Sequence, residues 1–138
     1  MVVTLGKSKR TYFRENVVMP QEIAGKYFGT EINEKWWRRY TKDKMFARGN
    51  GTFSYNENSI KFFRMLTKVP IEIEFKKITG FKTGKWHSGQ WGAGRKILKV
   101  IWEKNNQVLS SGFSIAISND EIDKLAHELN TLLQAVPK

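Results

Sequence analysis

The sequence predicts a mainly β domain with α: a bent antiparallel sheet, or split barrel, of six or seven strands capped by a C-terminal α-helix, with a short N-terminal helical extension. Three observations lead there. From Met45 onward apolar residues recur with a period of two rather than 3.6. The strand-like runs are joined by short turn-forming stretches, which leaves no room for alternating strand and helix. The last segment is helical by its own signals. Ser118 is followed three residues later by Glu121, a capping box, and Ile122, Leu125, Ala126, Leu129, Leu132, Leu133 and Val136 share one face.

In chain order, Thr11-Tyr-Phe-Arg14 and Asn16-Val-Val-Met19 suit short strands, and Gln21 to Phe28 suits a turn of helix stopped by Gly29. Thr30 to Tyr40 reads as a helix. Thr30 is its N-cap, Glu31 and Glu34 favour the positive end of the helix dipole, and Ile32, Trp36 and Tyr40 form a stripe. On this reading Trp36 anchors the helix and Trp37 points away. Residues 1–44 are then an N-terminal extension with a short Trp-containing helix, and residues 45–138 are the domain. Thr52-Phe-Ser-Tyr55 is a strand, Asn56-Glu-Asn58 a turn, and Ser59 to Leu66 a second strand in which adjacent Phe62 and Phe63 suggest a bulge or burial on both faces. Lys68-Val-Pro70 turns the chain, and Ile71-Glu-Ile-Glu-Phe75 alternates inward and outward. Lys77 to Phe81, Ile97 to Trp102 and Val108 to Ile117 complete the strands. Leu98, Val100 and Trp102 face inward, and Gly112 marks a bend or bulge. The final helix covers about Asn119 to Ala135 and ends before Pro137. Burying each of its large apolar residues stabilises by roughly 1.5–3 kcal/mol, so it must cover an apolar opening.

Composition narrows function. With 138 residues and 40% hydrophobic residues, the chain supports one core. It has no cysteine, which excludes disulfides and thiolate chemistry. The start, Met-Val-Val-Thr-Leu-Gly-Lys7, has no apolar run of signal-peptide length, and no window approaches the ~20 residues of a membrane span. A cytoplasmic protein, with a peripheral membrane position open to it, is expected. The net charge of +11 is uneven. Residues 1–50 hold eleven cations against five anions, residues 51–104 eleven against four, and residues 105–138 two against four. A basic body of this kind suits a polyanionic surface.

The stretch from Lys82 to Lys96 carries the functional question. It holds four glycines, two tryptophans, a histidine and four cations between two strands. Exposed aromatics and cations on a long loop make a contact surface. The candidate ligand-binding residues are Lys82, Lys85, Trp86, His87, Trp91, Arg95 and Lys96. The plainer alternative is that the indoles fold back onto the sheet. Catalysis is not expected. His87 and Ser88 are adjacent on a strand-like path, so their side chains diverge, and no acidic orienter lies near in sequence. Two histidines without paired spacing give no metal site, and the glycines lack the strand-to-helix context of a phosphate cradle. No cofactor is expected.

Gly51-Thr-Phe-Ser-Tyr-Asn-Glu-Asn-Ser-Ile-Lys-Phe62 followed by Ile71-Glu-Ile-Glu-Phe-Lys-Lys-Ile-Thr-Gly-Phe81, with the closing helix, resembles a pleckstrin-homology (PH)-like domain of the GRAM or bacterial type over residues 45–136. The resemblance implies a strongly bent seven-strand sheet plugged by a helix, and lipid or protein binding without catalysis. The chain departs from the family at the first hairpin. That turn is short and carries Glu57, whereas relatives that grip phosphoinositides have a basic loop there. Three functions of different class follow: docking to an anionic membrane surface or a protein partner, a basic nucleic-acid-binding β-barrel, and a structural homo-oligomerising domain.

Overall fold

Residues 23–32 form the strand on which the sheet is built. The computed structural model describes residues 22–40, 49–65 and 70–136. Its elements are β1 (Ile23–Ile32), β2 (Lys35–Arg39), β3 (Gly49–Tyr55), β4 (Ser59–Arg64) and β5 (Ile71–Glu74), a 3-10 turn (Phe75–Lys77), then β6 (Ile78–Gly84), β7 (Trp86–His87), β8 (Gln90–Trp91), β9 (Ile97–Lys104), β10 (Gln107–Ile115) and α1 (Asn119–Gln134). The expected strands at Thr11–Arg14 and Asn16–Met19, the turn at Lys68–Val69 and the stop at Pro137 lie outside the described residues.

The main sheet runs β5-β4-β3-β1-β10-β9-β6, all antiparallel, with β2 added to β1. It is not closed into a barrel: β5 and β6 are its two edges. Those edges are nonetheless consecutive in the chain, separated by the turn at Phe75–Lys77. Seven flat strands would set them about 29 Å apart, whereas the residues between Glu74 and Ile78 span at most about 14 Å. The sheet must therefore curl until its edges meet at a corner. Helix α1 packs against β6 and β9. Its Ile122, Ala126, Leu129 and Leu133 are buried, with Leu125, Leu132 and Val136 partly so. The capping box forms as expected: Ser118 Oγ accepts from Glu121 N–H, and the Glu121 carboxylate accepts from Ser118 N–H at 2.9 Å. The Asn130 side chain accepts from Phe81 N–H at 2.9 Å and donates to Phe81 C=O at 3.0 Å, covering main-chain groups of an edge strand.

The two helical readings before residue 45 are overturned. Residues 23–32 are strand β1, paired with β3 along Ile23–Tyr27 and with β10 along Gly25–Ile32. A boundary at residue 45 would cut the sheet through its middle. The apparent helical stripe has another origin. Asn33 and Glu34 take positive φ, 55° and 56°, and turn the chain into β2. Ile32 and Tyr40 thereby return to the core from opposite ends of a hairpin, while Trp36 between them is 60% exposed and stays outside the core. Tyr40 packs edge-on to Trp102 at 6.5 Å. A local pattern spaced at i, i+4 and i+8 matched both structures, and pairing with β10 decided between them. Phe62 and Phe63 show no bulge. The β3–β4 register is regular, Phe62 is fully buried and Phe63 points outward.

Phe113 is the hub of the core, with Phe62, Tyr27 and Phe53 at centroid distances of 5.2, 5.4 and 5.7 Å. A buried polar chain crosses three strands beside it. Tyr27 Oη lies 2.6 Å from Thr30 Oγ1, which lies 2.6 Å from Ser111 Oγ, which accepts from Trp102 Nε1 at 3.0 Å. Each of these groups has a partner, as burial requires.

Candidate functional site

The alternation that fills the core leaves a second set of side chains on the outer face of β1, β10 and β9. Leu98, Val100 and Trp102 point inward, so Lys99 points outward. On β10 Ser110 and Gly112 alternate with inward Leu109, Ser111 and Phe113. The bulge between Tyr27 and Gly29 turns Gly29 and Glu31 outward as well, and Gly29 pairs with Gly112. Two glycines side by side leave a shallow seat in the sheet.

His87 occupies that seat. A methyl group on Gly112 would come within 2.5 Å of the His87 ring, so the imidazole rests on bare backbone. Its Nε2 lies 2.9 Å from Gly29 C=O. A carbonyl only accepts, so Nε2 carries the hydrogen. Nδ1 faces the Glu31 carboxylate at 3.8 Å, too far for a hydrogen bond. Burial pushes the His87 pKa down to about 4, helped by the Lys99 charge and opposed by Glu31 and by the Gly29 and Ser110 carbonyls. The ring is neutral at physiological pH.

His87 thus pins the hairpin β7–β8, whose turn residues Ser88 and Gly89 both have positive φ, 50° and 78°. Ser88 holds that costly conformation because its N–H donates to Glu31 Oε2 at 2.6 Å. Trp86 and Trp91 pair across the hairpin with ring centroids 6.4 Å apart. Trp36, on the β1–β2 hairpin, reaches toward Gly89. Trp36 and Trp37 meet edge-on at 5.7 Å. Between the hairpins lies a cavity of about 450 Å³, lined by Glu31, Glu34, Trp36, Trp86, His87, Gly89 and Lys99.

The residues expected from sequence separate into three groups. Trp86 and His87 line the cavity, and Lys82 pairs with Glu34 at its rim. Lys85, Trp91 and Arg95 are exposed on the hairpin and the loop after it. Lys96 belongs elsewhere: its Nζ pairs with Asp123 at 2.6 Å and its N–H donates to Asn119 Oδ1, tying the loop to the start of α1. The folded-back reading of the indoles holds for neither Trp86 nor Trp91, which are 59% and 56% exposed. His87 is the residue that folds back. Glu31, Glu34, Trp36 and Lys99 were missed, because the first three were assigned to a helix and Lys99 looked like an ordinary outward strand position. The usable signal was Lys99 itself, a cation flanked by inward Leu98 and Val100 beside the long loop. Among the described residues no three His, Cys, Asp or Glu side chains are grouped to hold a metal.

No family model matches the sequence, and no curated protein matches it. The fold is that of an open, curled antiparallel sheet with one C-terminal helix. A solved chain of the 8S snRNP assembly intermediate is similar to it, with a TM-score of 0.53 and 12% identity over 86% of this chain and 82% of that one. At such identity the likeness concerns the fold alone.

Proposed function

We propose that this chain is a non-enzymatic, PH-like docking module that holds an anionic membrane surface at the cytoplasmic face through its two tryptophan hairpins. One observation carries the reading. Trp36, Trp37, Trp86 and Trp91 are each 56–61% exposed, on two adjoining hairpins. Indoles outside a core suit a lipid–water boundary, where the ring is dehydrated and its N–H stays wet. Lys35, Arg38, Lys85 and Arg95 are exposed on the same segments. Each cation near an anionic bilayer contributes about 1 kcal/mol. Seven principal strands in a curled sheet followed by one helix are also what the resemblance to PH-like domains implies. No described helix is long and apolar enough to cross a membrane.

Cosedimentation of the full chain with phosphatidylglycerol vesicles tests this. Binding is expected at low salt, weakened by added salt, by Lys85→Glu with Arg95→Glu, and by Trp86→Ala with Trp91→Ala. Equal sedimentation with neutral and anionic vesicles would remove the proposal. Exposed indoles also stack on unpaired bases, so a mobility shift with single-stranded RNA that outcompetes vesicles would replace it with the nucleic-acid reading. A stable dimer in light scattering that hides the four tryptophans would replace it with the oligomeric one.

A further inference from the structure

The cavity between the hairpins has a charge pattern that a polyanion does not explain. Two of its lining residues are carboxylates, Glu31 and Glu34, and only one is a cation, Lys99. Glu34 is paired with Lys82, and Glu31 is occupied by the Ser88 N–H. Lys99 has no carboxylate within ion-pair distance among the described residues. His87, neutral and buried against Gly112, adds no charge. Two indoles complete the wall. Indole faces beside carboxylates are the setting in which quaternary ammonium groups are held. The nearby Lys99 would repel a bare ammonium ion, unless the ligand also carried an anion to meet it. The lining therefore selects for both charges in one small molecule.

We propose that this cavity binds a phosphocholine-type zwitterion, with its quaternary ammonium against Trp36 and Trp86 beside Glu31 and Glu34, and its phosphate on Lys99. The proposal deepens the docking reading: the same surface that meets the bilayer would also hold one headgroup. About 450 Å³ lies within the range of small-ligand sites and accommodates one such group.

Indole N–H resonances of the full chain provide the test. Phosphocholine should shift the Trp36 and Trp86 signals saturably, with choline at least about tenfold weaker and inorganic phosphate without effect. Lys99→Met should reduce phosphocholine affinity to that of choline. Trp36→Ala and Trp86→Ala should abolish both, and Trp37→Ala neither. Stronger retention on mixed phosphatidylcholine–phosphatidylglycerol vesicles than on phosphatidylglycerol alone assigns the source as a lipid headgroup. Equal retention with free phosphocholine still binding assigns a soluble zwitterion. Unshifted indoles at about 10 mM phosphocholine, a concentration that would reveal even millimolar affinity, overturn the proposal. So does affinity that Lys99→Met leaves unchanged. Phosphatidylglycerol binding that persists in either case leaves the docking reading standing.

Discussion

The core and the outer face use the same residue class to opposite ends. Phe113 and the three rings around it pack at 5.2–6.3 Å, and none of the four is exposed. On the outer face four tryptophans also pair, at 5.7 and 6.4 Å, yet each is more than half exposed. The difference lies in what holds the backbone. Core rings project from long paired strands. The tryptophans project from two hairpins whose turns, Asn33-Glu34 and Ser88-Gly89, all have positive φ. Such turns set the side chains by backbone geometry, so the indoles need not be buried to be placed. Ring-to-ring contact therefore does not mark a core; projection from long paired strands onto one shared face does.

Three substitutions and one change of pH test this contrast. The largest effect is expected at the hub. Phe113→Ala should cost about 3–5 kcal/mol in denaturant unfolding, because three neighbouring rings lose a partner. A loss below about 1 kcal/mol would mean the core is not organised around it.

Acid comes next, acting where the outer face is bound to the sheet. His87 has its folded pKa depressed to about 4, below the ordinary value near 6.5. The unfolded chain therefore binds more protons between those values. The stability is fully present above about pH 6.5 and is lost as pH falls toward about 4, by about 3 kcal/mol. Glu31 and Lys99 are the charged groups facing the ring. The slope should vanish in His87→Asn, measured against wild type at each pH so that carboxylate titration cancels. An equal slope in both proteins would show that His87 does not control it.

Gly112→Ala should cost about 1–3 kcal/mol, since its methyl meets the His87 ring rather than open space. Amide exchange should speed up in β7–β8 more than in β3–β4. Uniform acceleration would mean that the hairpin is not held through this seat.

The smallest stability effect belongs to the tryptophans. Trp37→Ala or Trp91→Ala should change unfolding free energy by no more than about 0.5 kcal/mol while weakening vesicle binding. Destabilisation above about 2 kcal/mol would make these side chains structural and close the contrast.

Much of the fold was legible in the residues. Ile71 to Glu74 alternates because one face is buried, and α1 announces itself by Ser118, Glu121 and its apolar face. The site was half legible. The Lys82–Lys96 stretch stood out by composition, and Trp86, Trp91, Lys85 and Arg95 are indeed at the surface. His87 ran against expectation because its burial depends on Gly29 and Gly112, residues far from it in sequence that leave room for a ring. Trp36 ran against it because a two-residue turn at Asn33-Glu34 was invisible beneath a helical spacing.

Periodicity, capping and turn chemistry, each acting within about a dozen neighbouring residues, were enough to specify the antiparallel strand runs after residue 51, the capping helix and the basic, tryptophan-bearing loop. Long-range pairing is what makes residues 23–32 the central strand, turns His87 inward while the tryptophans stay out, and brings Lys99, Trp36 and Trp86 around one cavity. Those outcomes depend on which distant strands pair and on where two glycines fall opposite each other, and no local pattern encodes either.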